Sequence, residues 1–302
     1  MTTVSNLQTE IDSFLHYLAQ EKRMSPHTVS NYQRDLKQLL QFCDEKELQN
    51  WRLIKSSHIR QFISQLHRNG LAGRSIQRFL SATRSLYRFL IREGLADNNP
   101  AQAVQAPKVE KRLPATLDVD QMSGLLDGPA PETMIACRDL AMMELFYSSG
   151  LRLAELASLN IRDVDFGDHL VYVTGKGNKS RVVPVGSQAL NALKKWLSKR
   201  DDLGFFEQTA LFITQQGNRL GVRSIQKRLS QWGKKQGISD KVYPHRLRHA
   251  FASHMLEASG DLRAVQELLG HSDISTTQIY THVDFQHLAK VYDSAHPRAK
   301  KK

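Results

Sequence analysis

Apolar residues recur at helical spacing over most of the chain, interrupted by a small number of turn signals. Ser25-Pro26 marks a helix start, with Ser as N-cap and Pro in the first turn, and Asn69-Gly70 and Gly94 mark stops. Asp97-Asn98-Asn99-Pro100 breaks the pattern, and residues 106–114 carry two prolines and a charge run without apolar period. These signals predict a helical domain over 1–105, a linker over 106–114 and a second domain over 115–302. In the second domain, helical patterns over about 118–126, 132–148 and 152–158 precede two β-rich runs, Leu170–Thr174 and Arg181–Val185. Gly175-Lys176-Gly177-Asn178-Lys179 separates those runs and predicts a β-hairpin. Helical spacing then resumes to the end, where Phe285, Leu288, Val291 and Tyr292 form an apolar stripe and Lys300-Lys301-Lys302 reads as an unstructured tail. The fold class is mainly α with a small antiparallel β-sheet.

Composition narrows the class. The 302 residues suffice for two domains, and 40% hydrophobic with 24% charged residues is ordinary globular usage. A formal net charge of +12 favours a polyanionic partner. Cys43 and Cys137 lie in unrelated segments without metal-ligand spacing, which fits reduced thiols in a cytoplasmic protein, Cys137 as core filler. No apolar run reaches the ~18 residues of a membrane span, and no signal-peptide pattern opens the chain.

The charge is not evenly spread. Residues 48–92 hold nine Lys or Arg and no acidic residue. On a helix over 74–92 turning ~100° per residue, Arg74, Arg78, Arg84, Arg88 and Arg92 fall within an arc of about 120°. Ile76, Phe79, Leu80, Leu86, Tyr87 and Leu90 occupy the far side. A merely soluble face mixes signs, so the arginine ridge is read as a contact for the DNA backbone. Such contacts position a protein without reading sequence.

Three motifs carry chemistry: Gly150-Leu151-Arg152-Leu153-Ala154-Glu155-Leu156, Pro244-His245-Arg246-Leu247-Arg248-His249, and Leu268-Leu269-Gly270-His271 with Tyr280 nine residues later. Attack on a phosphodiester builds negative charge on the non-bridging oxygens, which a metal or an arginine clamp can hold. Guanidinium donates two parallel bonds to phosphate, which Lys cannot, so Arg152 and Arg248 are the candidate clamp. His245 shares a helix face with Arg248 and can bond phosphate or relay a proton. His271 follows a glycine of helix C-cap type. Tyr280 offers a hydroxyl nucleophile whose free pKa lies near 10. Each motif alone is weak, and the conjunction carries the weight. His245 and His249 have metal-ligand spacing, yet the Glu of His-Glu-x-x-His is missing. An architectural DNA-binding protein would explain the charge but not the Tyr, His and Arg set. A topoisomerase would share the site and differ in assembly.

Together these motifs resemble the active site of the tyrosine recombinase (phage integrase) family, Xer subfamily, nearly end to end. The resemblance implies an N-terminal four-helix SAM-like core-binding domain and a mostly helical catalytic domain ending in an exchange helix. It implies Arg152, Lys176, His245, Arg248, His271 and Tyr280 as catalytic residues, Lys176 as general acid with Lys179 as fallback, and Glu155 in support. It further implies site-specific recombination through a 3′-phosphotyrosyl intermediate and a Holliday junction, without metal, ATP or other cofactor. The implied partners are double-stranded DNA bearing a dif-like core site, the partner recombinase XerD in a heterotetrameric synaptic complex, and an FtsK-type DNA translocase as regulator. Chromosome or plasmid dimers would be resolved for segregation at cell division. In that family the last helix passes to the adjacent protomer, so donation in trans is expected here.

Overall fold

Ser25 caps the second helix of the chain, its Oγ accepting from the Thr28 N–H at 3.2 Å, with Pro26 in the first turn. The computed structural model describes residues 4–107, 116–129, 131–175, 180–238, 242–270 and 282–299. The chain divides into two units, Met1–Arg112 and Leu113–Lys302.

The first unit contains α1 (Val4–Gln20), α2 (Pro26–Glu45), α3 (Ser56–Arg68) and α4 (Gly73–Arg92), with a short 3-10 turn at Trp51–Leu53. The stops at Asn69-Gly70 and Gly94 lie where α3 and α4 end, both glycines at positive φ. Ile76, Phe79, Leu80, Leu86, Tyr87 and Leu90 of α4 are all buried. Phe62 bridges the helices, its ring centroid 4.8 Å from Phe42 and 4.9 Å from Phe79.

Three arginines of the α4 ridge have partners within the first unit. Arg78 forks onto Asp35, with Nη2 to Oδ1 at 2.7 Å and Nε to Oδ2 at 2.8 Å. Asp35 is buried on α2, and a buried carboxylate requires a counter-charge. Arg84 donates to the Ala101 carbonyl at 3.0 Å and to the Val104 carbonyl, tying down the segment after α4. Arg92 pairs with Glu93 and lies over the Tyr17 ring, 4.1 Å from its centroid. Arg74, Arg88 and Arg92 stand exposed. Equal spacing on a wheel cannot distinguish a cation facing solvent from one recruited by a neighbouring acid or carbonyl.

The second unit is built around α6 (Met134–Ser149), which is buried from Cys137 to Ser149 except for half-buried Leu140. Its apolar side chains fill the core, and its buried polar groups are met by other elements, as with Asp139 by Arg228. Around it lie α5 (Val119–Leu126), α7 (Leu153–Ser158), α8 (Ser187–Asp201), α9 (Val222–Lys235), α10 (Pro244–Ser259), α11 (Leu262–Leu269) and α12 (His282–Ala295). A three-stranded antiparallel sheet has the order β1 (Val164–Asp165), β2 (Leu170–Thr174), β3 (Ser180–Pro184). Val171 pairs with Val183 and Val173 with Arg181, so Arg181 occupies an inward position on β3.

The C-terminal segment packs on its own domain within the single chain. Leu288, Tyr292 and Ala295 join the core of their own domain, and the Tyr292 hydroxyl bonds the Ser148 hydroxyl at 2.7 Å. Leu288 and Tyr292 of the apolar stripe are thus buried within the single chain.

Candidate functional site

Gly150 ends α6 in the left-handed region at φ 54°, where a Cβ would come within 2.4 Å of the Phe251 ring. That tight turn delivers Arg152 directly to the start of α7. Glu155 reaches back to the Arg152 backbone N–H at 2.7 Å, fastening the first turn of the helix. The same carboxylate accepts from Arg152 Nη1 at 2.9 Å, and from Arg181 Nη1 at 2.7 Å and Nη2 at 3.0 Å. Burial alone would push the Glu155 carboxyl up, but the bonds from Arg181 and Arg152 outweigh it and hold the pKa down to about 2.

Arg248 comes from the second turn of α10, where Pro244 occupies the first turn and His245 lies one turn earlier on the same face. Its Nη1 donates to the Gly150 carbonyl at 2.5 Å and its Nη2 to the Leu269 carbonyl at 2.7 Å. Burial, followed by repulsion from Arg152, lowers its pKa to about 10. Arg152 Nη2 donates to the Gly270 carbonyl at 2.9 Å, and Arg181 Nε to the Leu268 carbonyl at 3.3 Å. Three guanidiniums thus converge on three successive carbonyls at the C-terminus of α11. These are the carbonyls a helix leaves unpaired, at the negative end of its dipole. Gly270 makes the stop possible, with φ 64°.

The cluster sums to three guanidinium charges less one carboxylate, a net +2. Arg152 is 44% exposed, whereas Arg181 is 8% exposed, so the cluster opens to solvent on the Arg152 side. Half-buried Arg248 and exposed His245 complete the described surroundings. An open, net cationic arrangement of planar donors suits a phosphate.

Of the residues singled out in the sequence, Arg152, Glu155 and Arg248 are brought into one hydrogen-bonded cluster, and His245 stands on the same helix as Arg248. Lys176, Lys179, His271 and Tyr280 lie outside the described residues. Arg181 was missed. Its signal was the strand alternation, which puts Arg181 on the same face as Val183 and Val185, a charge where an apolar residue belongs. His245 and His249 have ring centroids 5.5 Å apart. Among the described residues no three His, Cys, Asp or Glu side chains gather to hold a metal ion, and no helix is long and apolar enough to cross a membrane.

Comparison with known proteins gives a consistent result. Residues 115–287 match the model of the phage integrase family, and residues 11–94 match that of the phage integrase N-terminal SAM-like domain. The chain is 52% identical to the tyrosine recombinase XerC of Stutzerimonas stutzeri over 296 residues, covering 98% of each protein. It is 51% identical to that of Pseudomonas syringae pv. tomato, again over 98% of each. Among solved structures, the XerH site-specific recombinase bound to a palindromic difH substrate, a post-cleavage complex, superposes with a TM-score of 0.74. It is 21% identical and 96% of each chain is covered. A lambda integrase tetramer bound to a Holliday junction superposes with a TM-score of 0.68 at 22% identity, covering 91% of this chain and 80% of that one.

Proposed function

Because the chain belongs to the phage integrase family of tyrosine recombinases, enzymes that break and rejoin DNA at specific sites, we propose that it cuts through a 3′-phosphotyrosyl intermediate formed by Tyr280. The phenolic oxygen of Tyr280 attacks phosphorus, and the bond from phosphorus to the 5′-oxygen breaks. His245 takes up the phenolic proton, and Lys176 protonates the leaving 5′-hydroxyl. Arg152 and Arg248, with His271, hold the non-bridging oxygens as their charge rises. Glu155 orients Arg152. The covalent link conserves the bond, so resealing requires no ATP, and the clamp takes the place a metal would fill.

The observation that carries this reading is the convergence of Arg152 and Arg248 on the Leu269 and Gly270 carbonyls, next to His271 in the sequence. Each donates one Nη2 bond to one of two adjacent peptide units, which brings the two guanidiniums to the same helix end. Exposed Arg74, Arg88 and Arg92 contact the DNA backbone from the first unit, with Arg78 and Arg84 committed largely to internal partners. The biological task is resolution of chromosome or plasmid dimers at a dif-like core site, through a Holliday junction. It acts with a XerD-type partner recombinase in a heterotetrameric complex, under an FtsK-type DNA translocase, in the cytoplasm at cell division.

The test is a duplex carrying a Xer-type core site, nicked near the cleavage point so that the cut strand cannot be resealed. Incubated with EDTA and the XerD-type partner, the wild-type protein is expected to give a covalent adduct on a denaturing gel, and Tyr280→Phe none. An adduct that persists in Tyr280→Phe moves the nucleophile. No adduct from the wild type removes the catalytic assignments together.

A further inference from the structure

We propose that Arg181 is a positioning residue of the cleavage site: it holds Glu155 from the sheet side and packs against Gly270, and so fixes where Arg152 directs its remaining donors. The inference rests on the reading of Arg152 and Arg248 as the phosphate clamp. Arg181 is 8% exposed and spends all three of its nitrogens internally, on both oxygens of Glu155 and on the Leu268 carbonyl. It acts through its neighbours and not on DNA.

The argument is one of competition. A buried carboxylate takes up every donor within reach. With Arg181 present, each Glu155 oxygen already carries one strong bond from it, and the Arg152 side chain adds a single Nη1 bond beside the bond from its own backbone N–H. Without Arg181, Arg152 would be the only guanidinium left on Glu155 and would be drawn into a full fork with it. The charge would change as well, from +2 to +1. A phosphodiester carries one negative charge, and oxygen attack adds a second, so +2 matches the transition state better than the ground state.

A second contact points the same way. A Cβ on Gly270 would lie 3.0 Å from Arg181 Cδ, 3.1 Å from Nε and 3.2 Å from Cζ. The Arg181 side chain therefore lies directly against the peptide that accepts from Arg152 and leads into His271. Removing it loosens the carbonyl end on which the clamp rests. It also removes the first of the bonds that keep Glu155 ionised against burial.

The test follows adduct formation on the nicked core-site duplex over a range of pH, beside DNA affinity and thermal melting. Arg181→Met is expected to slow the adduct roughly 10²-fold, the scale of an ångström misplacement, with DNA affinity unchanged. Relative to the wild type, its rate should recover in part toward acid pH, as Glu155 becomes protonatable and releases Arg152, a limb the wild type lacks. Arg181→Lys should recover only part, because a point charge cannot fork. Glu155→Gln added to Arg181→Met should restore part of the rate, because a neutral amide no longer captures the Arg152 guanidinium. A wild-type rate and pH profile in Arg181→Met overturns the proposal, as does simple additivity with Glu155→Gln. Should Arg181→Met fail to fold, the lysine and double variants decide by the same criteria. No adduct from the wild type overturns the clamp reading and this one together, whereas a wild-type adduct unaffected by Arg181 overturns this one alone.

Discussion

Arg298, four residues before the last, forks onto Glu144 in the middle of α6, with Nε to Oε2 at 2.9 Å and Nη2 on Oε1, and its Nη1 reaches Asp127 at 2.8 Å. Glu144 is buried and Arg298 nearly so. Removing the cation strands a carboxylate in the core, which costs about 3 kcal/mol unless the carboxyl picks up a proton. Arg298→Ala should lower the melting temperature of the catalytic unit. It should also expose residues C-terminal to α11 to proteolysis before the rest of the domain. A melt identical to the wild type would show the pair to be incidental.

Acid should release the same segment. His296 bonds the Tyr147 carbonyl at 3.1 Å and stacks on Tyr292. Burial lowers its pKa from 6.5 to about 3, and the surrounding His254 and Arg298 oppose its protonation further. The folded value lies below the unfolded one, so the stabilisation is complete above 6.5 and declines as pH falls toward 3. At pH ~5 the loss from this group alone is about 2 kcal/mol. Hydrogen exchange of α12 measured at neutral and mildly acid pH should show faster opening in acid. His296→Gln, which cannot charge, should flatten that dependence.

In the first unit, the arginines of α4 should separate into two kinds. Arg78→Ala leaves buried Asp35 without its fork and should cost about 2 kcal/mol of domain stability. Arg74→Ala and Arg88→Ala should leave stability within about 0.5 kcal/mol. Each should instead reduce the slope of log affinity against log salt by about 1. Denaturant melts beside DNA titrations at several salt concentrations check both halves. A lower slope for Arg78→Ala at unchanged stability would reverse its assignment.

Gly150→Ala should disable cleavage without touching a charged residue. At φ 54° an alanine costs roughly 1–2 kcal/mol, and its methyl meets the Phe251 ring at 2.4 Å. Relief requires the turn to shift, and the Gly150 carbonyl that holds Arg248 shifts with it. The adduct rate should drop more than stability does. An unchanged rate would mean that Arg248 does not depend on this acceptor.

Helical period and turn chemistry made much of the fold legible in the sequence. The faces of α4 and the pairing of Leu170–Thr174 with the run after Lys179 follow from local rules. The two-residue strand at Val164–Asp165 left no trace, because pairing with β2 defines it and not its own propensity. In the site, Arg152, Glu155 and Arg248 were legible through spacing. Arg181 was not, because what gives it meaning is a carboxylate 26 residues away in the chain. The same long-range dependence hid the engagement of Arg78 with Asp35, 43 residues apart. The contact of Tyr292 with Ser148 was hidden because the two lie 144 residues apart in the chain.

Half of the clamp is written in atoms that every amino acid possesses. The oxygens of Gly150, Leu268, Leu269 and Gly270 that hold the three guanidiniums belong to the main chain. No exchange of side chain can delete them. Inherited variation can therefore silence these acceptors only by bending the backbone, and the two places where one added carbon would do so are the glycines at 150 and 270. Harmful changes should concentrate at those two apparently featureless positions, while Leu268 and Leu269 tolerate any apolar replacement that preserves the helix end.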